Sequence, residues 1–231
     1  MAGRLLSLLA SAPRLIVSLP SNSLELARAA ADGGADALKV HLSVTHSASG
    51  TRFGTLAEER ANLDAILSVG LPTGVVPGTA DCLPSREEMR ELAAMGLDFF
   101  DLFARDMPSW MTWLKDLTRV AAMDPATDIR SLGEIEALGI EMIEAAIVPT
   151  EGYGRPLCLA DLVAYRRIRC ATQLPIIVPT ERAIAPEDIP LLIGDIGINA
   201  VMIGAVVAGR EPTSLQAATG RFASALAALR D

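Results

Sequence analysis

The sequence predicts an α/β protein with a (β/α)8 fold, the TIM barrel, formed as a single domain over residues 1–231. Short apolar runs rich in β-forming residues alternate eight times with amphipathic stretches of helical period. The repeat averages about 29 residues, the length expected for one strand-and-helix unit of such a barrel. Glycine stands between most of the helical stretches and the strand that follows, as is typical of helix ends.

The apolar runs predict the strands in order. The first run, RLIVSLP, is needed as strand one, and for this reason we do not interpret the N-terminal stretch MAGRLLSLLASAP as a signal peptide. In the second run, DALKVHLSV, the apolar residues Leu38, Val40 and Leu42 alternate with the polar residues Lys39, His41 and Ser43. The predicted strands are Arg14–Pro20, Ala37–Val44, Pro72–Pro77, Leu97–Phe103, Thr118–Asp124, Ile140–Val148, Pro175–Thr180 and Ala200–Ile203.

Helical periodicity fills the stretches between these strands. The predicted helices are Ser23–Gly33, Leu56–Val69, Ser85–Met95, Ser109–Asp116, Ile129–Leu138, Leu159–Thr172, Pro186–Ile196 and Thr213–Leu229. An open doubly wound sheet is the alternative, but the first turn, SLPSNSLELA, has no GxGxxG fingerprint of a dinucleotide fold. Since no linker or low-complexity segment divides the chain, we predict one domain.

Composition narrows the classes of partner. The net charge is −8 and no run of basic residues occurs, which argues against a nucleic-acid partner. No apolar run reaches the length of a membrane span, so no membrane partner is expected. The three cysteines are far apart and form no CxxC pair, which favours free thiols in the cytoplasm over a zinc site or a disulfide framework. Wide apolar faces on the helices LELARAAA and ASALAALR suggest a homo-oligomer.

Polar side chains point to a site at the carboxyl ends of the strands, where barrels of this class hold their active sites. Strand alternation directs five charged or titratable residues toward the barrel interior. They are Lys39, His41, Asp101, Asp124 and Glu144. One interpretation is a buried salt-bridge layer. The other is catalysis, because a buried lysine beside carboxylates is able to act as an acid, a base or an imine former.

A phosphate subsite is predicted at the end of the barrel. In phosphate-binding barrels, the loops after strands seven and eight offer backbone N–H groups to the anion. Gly204 and Ala205 follow the eighth predicted strand, and a missing side chain at Gly204 lets the backbone approach a phosphate. The Ser- and Gly-rich loops after strands two and six carry Arg52 and Arg155. We predict that one of these loops closes over the substrate, with Arg52 or Arg155 in contact with an anionic group, and the alternative is a solvated loop without a ligand.

The segment GINAVMIGAVV resembles the strand-eight signature GADAVxVGxAI of the ribulose-phosphate-binding barrel superfamily. The preceding segment, IVPTERAIAPEDIPLLIGDIG, resembles EGRINTPEDAxxALELG of N-acetylmannosamine-6-phosphate 2-epimerases. The motif likeness covers about the last third of the chain. It implies that the hydroxyl of Thr180 and the N–H groups of Glu181 and Arg182 replace a glycine of those epimerases in binding phosphate. Their catalytic lysine is expected after strand three, whereas Lys39 lies on strand two.

These observations predict an enzyme that isomerises or epimerises a small phosphorylated metabolite, such as a sugar phosphate of carbohydrate metabolism, by proton transfer. Lys39 would act as acid or base, with Glu144, Asp101 and Asp124 as partners. One alternative is an aldolase or other lyase that forms an imine on Lys39. Another is a phosphate-ligand sensor without catalysis. No organic cofactor is predicted, and a divalent cation on Asp101, Asp124 or Glu144 is possible, although their spacing indicates no defined metal site.

Overall fold

A computed structural model describes residues 3–229 of the chain. Eight parallel strands follow one another around a closed barrel in chain order, and the first strand pairs with the last. Each strand lies within its predicted range, and the (β/α)8 prediction is confirmed. The strands are β1 (Arg14–Ser18), β2 (Ala37–His41), β3 (Thr73–Val76), β4 (Phe99–Phe103), β5 (Thr118–Met123), β6 (Met142–Ala145), β7 (Ile176–Pro179) and β8 (Ala200–Ile203).

Helices surround the barrel. They are α1 (Arg4–Leu9), α2 (Leu24–Asp32), α3 (Leu56–Leu67), α4 (Arg86–Met95), α5 (Leu132–Ala137), α6 (Leu159–Ala171), α7 (Ala205–Ala208) and α8 (Pro212–Ala227). The helix predicted over Ser109–Asp116 is a 3-10 helix, Ser109–Trp113. The one predicted over Pro186–Ile196 divides into a 3-10 turn, Pro186–Asp188, and a π-helix, Pro190–Ile196, because Pro190 has no N–H to donate.

Local sequence signals fix where the helices begin and end. Two helices begin with reciprocal capping boxes, Thr55 with Glu58 for α3 and Ser85 with Glu88 for α4. Glycine provides the left-handed residue before five of the strands, a conformation that side chains with a Cβ rarely adopt. These residues are Gly34, Gly70, Gly96, Gly139 and Gly197, with φ between 86° and 104°.

The N-terminal helix α1, which the sequence did not predict, closes one end of the barrel. Leu5 and Leu9 of α1 are buried against an apolar cluster of inward-facing strand residues. The Asp98 carboxylate, just before β4, accepts hydrogen bonds from the N–H groups of Arg4 (2.6 Å) and Leu5 (2.8 Å). The strand residues of this cluster are Ile16, Ala37, Phe99, Val120, Met142, Ile177, Ala200 and Met202.

Alternation along the strands separates this interior from the layer that packs on the helices. Val40, Phe100 and Ile143, for example, belong to the outer core, while their neighbours in sequence face the barrel axis. At the carboxyl ends of the strands the interior changes from apolar to charged. Among residues 3–229, no helix combines the length and the apolar character needed to cross a membrane.

Candidate active site

Three of the predicted residues form a charged cluster inside the barrel. Lys39 Nζ lies 2.7 Å from Glu144 Oε2 and 3.0 Å from Asp101 Oδ2. Lys39, Asp101 and Glu144 are 5%, 2% and 6% exposed, so water contributes little to the stabilisation of these charges. The second oxygen of Asp101 has no hydrogen-bond partner among the described residues. Within the described part of the chain, the cluster therefore contains one buried acceptor without a donor.

The surroundings set the protonation of this cluster. Burial opposes the charge on Lys39, but the nearby carboxylates of Asp101 and Glu144 outweigh it and raise the lysine pKa above its usual value. Burial and the neighbouring charge of Asp101 raise the pKa of Glu144 well above its ordinary range, although Lys39 opposes this rise. Lys39 is consequently a fixed cation, and Glu144 is the member of the cluster that gains basicity.

Strand register and small neighbours make space for the cluster. In the register of the sheet, Gly74 of β3 pairs with Lys39 of β2 on one side and with Phe99 of β4 on the other. A Cβ at Gly74 would lie 2.0 Å from the Phe99 ring, so only glycine lets this ring fill the floor beneath the charges. Ala122 pairs with Glu144 and adds only a methyl group to the cavity wall. Large apolar residues below and small ones beside the cluster thus place the charges at the cavity floor.

A second acidic group faces the same cavity from the loop after β7. The Glu181 carboxylate accepts hydrogen bonds from the Tyr153 hydroxyl (2.8 Å) and from the Val148 N–H (2.9 Å). Burial raises the pKa of Glu181 to about 7, although these two hydrogen bonds and the charge of Lys39 oppose the shift. Burial and the adjacent Glu181 raise the pKa of Tyr153 as well. We predicted a role for the Glu181 N–H, but that group donates to the Pro179 carbonyl (2.9 Å), and it is the side chain that lines the cavity.

The predicted phosphate-binding residues are only partly assembled. Gly204, Ala205 and Thr180 line the cavity, and Ala205 begins α7. The Gly204 N–H donates to the Thr180 hydroxyl (3.1 Å), so this amide and this hydroxyl already contact each other. Gly204 has an extended backbone and a Cβ there would lie 3.7 Å from Ser18, an ordinary contact. Since neither backbone nor packing requires glycine at 204, its effect is to leave space in the cavity.

The three predicted arginines lie elsewhere. Arg52 and Arg155 are exposed and do not line the cavity. The Arg182 guanidinium pairs with Asp161 (2.9 Å) and donates to the Gly152 carbonyl (3.0 Å), which ties the loop after β7 to the loop after β6. The side chains of Arg52 and Arg155 thus lie outside the cavity, that of Arg182 connects two loops, and their contacts with an anion stay a prediction.

Asp124 also lies outside the cluster. Its carboxylate accepts from the N–H of Ala126 (2.9 Å) and the hydroxyl of Thr127 (2.8 Å), and it pairs with Arg105. This carboxylate therefore stabilises the turn after β5 and is not available as a catalytic partner. Within residues 3–229, no three His, Cys, Asp or Glu side chains are grouped so as to hold a metal ion. A divalent cation on Asp101, Asp124 or Glu144 stays a prediction.

His41 faces the cavity, but in a different setting from the charged cluster. Its ring is buried and makes tilted contacts with the rings of His46 and Phe53, with centroid distances of 4.5 Å and 4.8 Å. Burial, His46 and Lys39 lower the pKa of His41 well below its usual value, so the ring is neutral. The side chain of Asn22 fixes this end of β2. Its amide N–H donates to the His41 carbonyl (2.8 Å), and its oxygen accepts from the His41 N–H (3.3 Å).

Loops supply the residues that sequence reasoning missed. The cavity has a volume of about 190 Å³, and His46 and Tyr153 line it together with Ser18 of β1. The Ser18 hydroxyl is buried and has no partner among the described residues. Ser18 could have been found by the alternation that revealed Lys39, since it also faces inward near the end of its strand. No sequence pattern distinguishes His46 or Tyr153 from other loop residues.

Comparisons with known proteins support the fold. No family model matches this sequence, and no curated protein matches it. Among solved structures, a Mycobacterium tuberculosis tryptophan synthase structure is similar with a TM-score of 0.73 and 18% identity, over 98% of this chain and 99% of that chain. A mutant tryptophan synthase alpha-subunit from the hyperthermophile Pyrococcus furiosus has a TM-score of 0.70 and 16% identity, over 91% of this chain and 98% of that chain.

A third structure is phosphoribosyl anthranilate isomerase from Thermus thermophilus. Its TM-score is 0.63 at 16% identity, over 94% of this chain and 100% of that chain. At such identities the likeness shows a shared barrel fold and no more. The resemblances to the ribulose-phosphate-binding superfamily and to N-acetylmannosamine-6-phosphate 2-epimerases stay predictions.

Proposed function

We propose that this protein is an enzyme that isomerises or epimerises a small phosphorylated metabolite by moving a proton. The observation that carries the proposal is the buried Lys39, held between Asp101 and Glu144 at the floor of a cavity. In this proposal Glu144 carries the proton, Lys39 stabilises negative charge on a substrate oxygen, and Asp101 positions Lys39. The names of the structural neighbours, which include an isomerase of a phosphoribosyl compound, are compatible with this class.

The raised pKa of Glu144 supports its role as the proton carrier. An ordinary carboxylate is a weak base, and burial beside Asp101 increases its affinity for a proton. In its ionised form Glu144 would take a proton from the carbon next to a substrate carbonyl, and the electron pair would move to the carbonyl oxygen. The Lys39 ammonium, 2.7 Å from Glu144, provides the positive charge that such an enolate oxygen needs. When the proton of the adjacent hydroxyl group moves to the enolate oxygen, return of the carbon-bound proton from Glu144 to the former carbonyl carbon isomerises the substrate. Epimerisation requires a second acid that delivers a proton to the opposite face of the original carbon.

The same electrostatics disfavour an imine mechanism. An imine forms only from a neutral amine, whereas the two carboxylates raise the pKa of Lys39 and keep it charged. We therefore place the aldolase alternative second. The phosphate is proposed to lie against Gly204 and Ala205, where the unfilled space beside Ser18 leaves the backbone accessible.

Deuterium exchange tests the proposal. We would incubate the protein in D₂O with a set of phosphorylated α-hydroxyketones and aldoses, and follow the carbon-bound proton by NMR. The wild-type protein is expected to exchange the proton next to the carbonyl of at least one compound. Glu144→Gln is expected to lower that rate by about 10²-fold or more, because the amide is not a base. Glu151→Gln, an exposed position after β6, serves as the matched control and should exchange normally.

Other outcomes select the alternatives. Binding of these compounds without exchange would favour the sensor. Covalent trapping of a substrate on Lys39 by borohydride would favour the aldolase. Equal exchange rates in Glu144→Gln and in the wild type would contradict the assignment of Glu144.

A further inference from the structure

Both histidines of the chain meet at the cavity wall. His46 lies in the loop after β2, its ring is half-buried, and its centroid is 4.5 Å from that of His41. The loop has internal hydrogen bonds, from the His46 N–H to the Thr51 carbonyl (2.9 Å) and from the Gly50 N–H to the His46 carbonyl (2.7 Å). His46 is therefore held on a braced segment beside Lys39, rather than on the unstructured lid that a Ser- and Gly-rich sequence suggests.

Hydrogen bonds fix which nitrogen of His46 carries the proton. The Ser49 N–H donates to His46 Nδ1 (3.3 Å), and since a backbone N–H donates only, Nδ1 is an acceptor. The Ser49 hydroxyl is 3.1 Å from the same nitrogen and accepts from the Thr51 N–H (3.3 Å), which leaves its own hydrogen for Nδ1. A neutral His46 thus carries its proton on Nε2. Within residues 3–229 no hydrogen bond engages Nε2, and the ring lines the cavity.

The charge of the ring follows from its neighbours. Burial and the positive charge of Lys39 lower the pKa of His46 to about 4. The ring of His41, in tilted contact with that of His46, is neutral because burial, His46 and Lys39 lower its pKa. The Phe53 ring adds an apolar edge. At neutral pH the cavity therefore holds one cation, Lys39, and beside it an uncharged N–H donor.

We propose that His46 is a catalytic residue that donates a hydrogen bond from Nε2 to the substrate oxygen on which negative charge develops. This inference depends on the proposed function, since it assigns a partner to the charge that Glu144 generates. A neutral imidazole N–H stabilises an oxyanion without placing a second full charge beside Lys39. Lys39 and His46 would then bind the same oxygen from different directions, which orients the substrate as well as stabilising the enolate.

Ring ¹⁵N NMR of the wild-type protein tests whether His46 is neutral and carries its proton on Nε2. Only two histidines contribute signals, and His41→Gln assigns them. We expect the His46 spectrum of a neutral ring protonated at Nε2 from about pH 5 to about pH 9. Titration near the usual histidine pKa, or a proton on Nδ1, would overturn the proposal whatever reaction the protein catalyses.

Two substitutions test the catalytic half, with the phosphorylated ketone that exchanges fastest as the probe. His46→Phe keeps the ring stack but removes the donor, and we expect kcat for exchange to fall by about 10²- to 10³-fold with little change in KM. His46→Gln restores an N–H near the position of Nε2 and should recover at least about ten-fold of that loss. Thr51→Val, in the same loop, is the control, because Thr51 contributes to the loop through its backbone N–H and its backbone carbonyl.

The outcomes separate this inference from the proposed function. The role of His46 is wrong if Glu144→Gln abolishes exchange while His46→Phe does not. It is also wrong if His46→Phe and His46→Gln are equally impaired. In both cases the role of Glu144 stands. If the wild-type protein exchanges no probe, the proposed function fails first. Should His46→Phe not fold, the wild-type ring spectrum with and without the probe decides. A shift of the Nε2 signal on binding supports the contact, and binding without a shift overturns it.

Discussion

The two ends of the barrel interior are built from the same strands and differ in chemistry. At one end, Phe99 of β4 and Met142 of β6 pack against Leu5 of α1 in an apolar cluster. Two residues further along these strands, Asp101 and Glu144 hold a buried ammonium group. Two residues span about 6 to 7 Å of strand. The comparison teaches that one step of the strand pleat separates the region that stabilises the fold from the region proposed to do chemistry, so substitutions at the two levels should have separable effects.

Removing the cation should have the largest effect on the charged end. In Lys39→Met, two carboxylates remain buried without their partner, and we expect the free energy of unfolding to fall by about 3 to 5 kcal/mol. Proton exchange should fall by about 10³-fold, since the developing oxyanion loses its cation. Urea unfolding and the exchange assay measure the two effects. The matched control is Arg130→Met, which breaks an exposed pair with Asp128 and should leave both measurements unchanged. Equal stability of Lys39→Met and the wild type would contradict the buried ion cluster.

Truncation at the apolar end should lower stability without changing the chemistry. Leu5 is fully buried, and Leu5→Ala is expected to reduce the free energy of unfolding by about 2 to 5 kcal/mol. The exchange rate per folded molecule should remain that of the wild type when measured well below the unfolding midpoint. Leu138→Ala, at a side chain that is 63% exposed, is the control and should change stability by less than about 0.5 kcal/mol. A lower exchange rate in fully folded Leu5→Ala would show that the two ends are coupled.

The Glu181 carboxyl should make stability depend on pH. Burial raises its folded pKa to about 7 from an ordinary value of 4.5, so the folded protein keeps a proton that the unfolded chain releases. The contribution of this group to the free energy of unfolding therefore falls as pH rises from about 4.5 to about 7, by at most about 3 kcal/mol. Glu181→Gln removes this pH-dependent contribution to the free energy of unfolding. The contributions of the other titrating groups cancel when the variant is compared with the wild type. The stability difference between Glu181→Gln and the wild type should shift in favour of the variant between pH of about 5 and about 8. A difference independent of pH would argue that the group is not buried.

The smallest effects are expected at Arg52 and Arg155, outside the cavity. Both side chains are exposed, so Arg52→Ala and Arg155→Ala should change kcat and KM for exchange by less than about two-fold. The same kinetic assay, run at low and moderate salt, checks this. A large rise in KM for either variant would show that its loop closes over the substrate, as the composition of the loop suggested, and would extend the charged end beyond the cavity described above.

The sequence revealed the strands and the floor of the site because both follow from a short-range rule. Alternation placed Lys39, Asp101 and Glu144 inward, and the parallel order of the strands brought them to one level. The rule fails where a strand ends. Asp124 follows β5 and satisfies the pattern, yet its carboxylate accepts hydrogen bonds from the Ala126 N–H and the Thr127 hydroxyl of its own turn. Local hydrogen bonds of this kind compete with the inward direction and are not encoded in periodicity.

Loops and α1 escaped prediction for a different reason. The segment RLLSLL has no side-chain cap, and its N–H groups are satisfied by Asp98, more than 90 positions away. His46 reaches the cavity through a turn that includes Ser43, with a positive φ of 51°, and through a hairpin that is closed by backbone hydrogen bonds such as that from the Phe53 N–H to the Val44 carbonyl (2.8 Å). Tyr153 is located by its bond to Glu181 of another loop. The positions of α1 and Tyr153 depend on partners remote in sequence, and that of His46 depends on the hydrogen bonds of its hairpin. A reading of hydrophobic periodicity supplies neither.

The position of α1 also predicts when this helix packs during folding. Its leucines belong to a cluster with residues contributed by seven of the eight strands, so the docking surface is complete only after the ring has closed. Contacts that depend on such distant segments form late, since each requires the entropy of long loops to be lost first. We therefore expect Leu5→Ala to accelerate unfolding while leaving the folding rate nearly unchanged, a φ-value close to zero. Docking of α1 would then be the last step in the formation of the barrel, and dissociation of α1 would be the first step of unfolding.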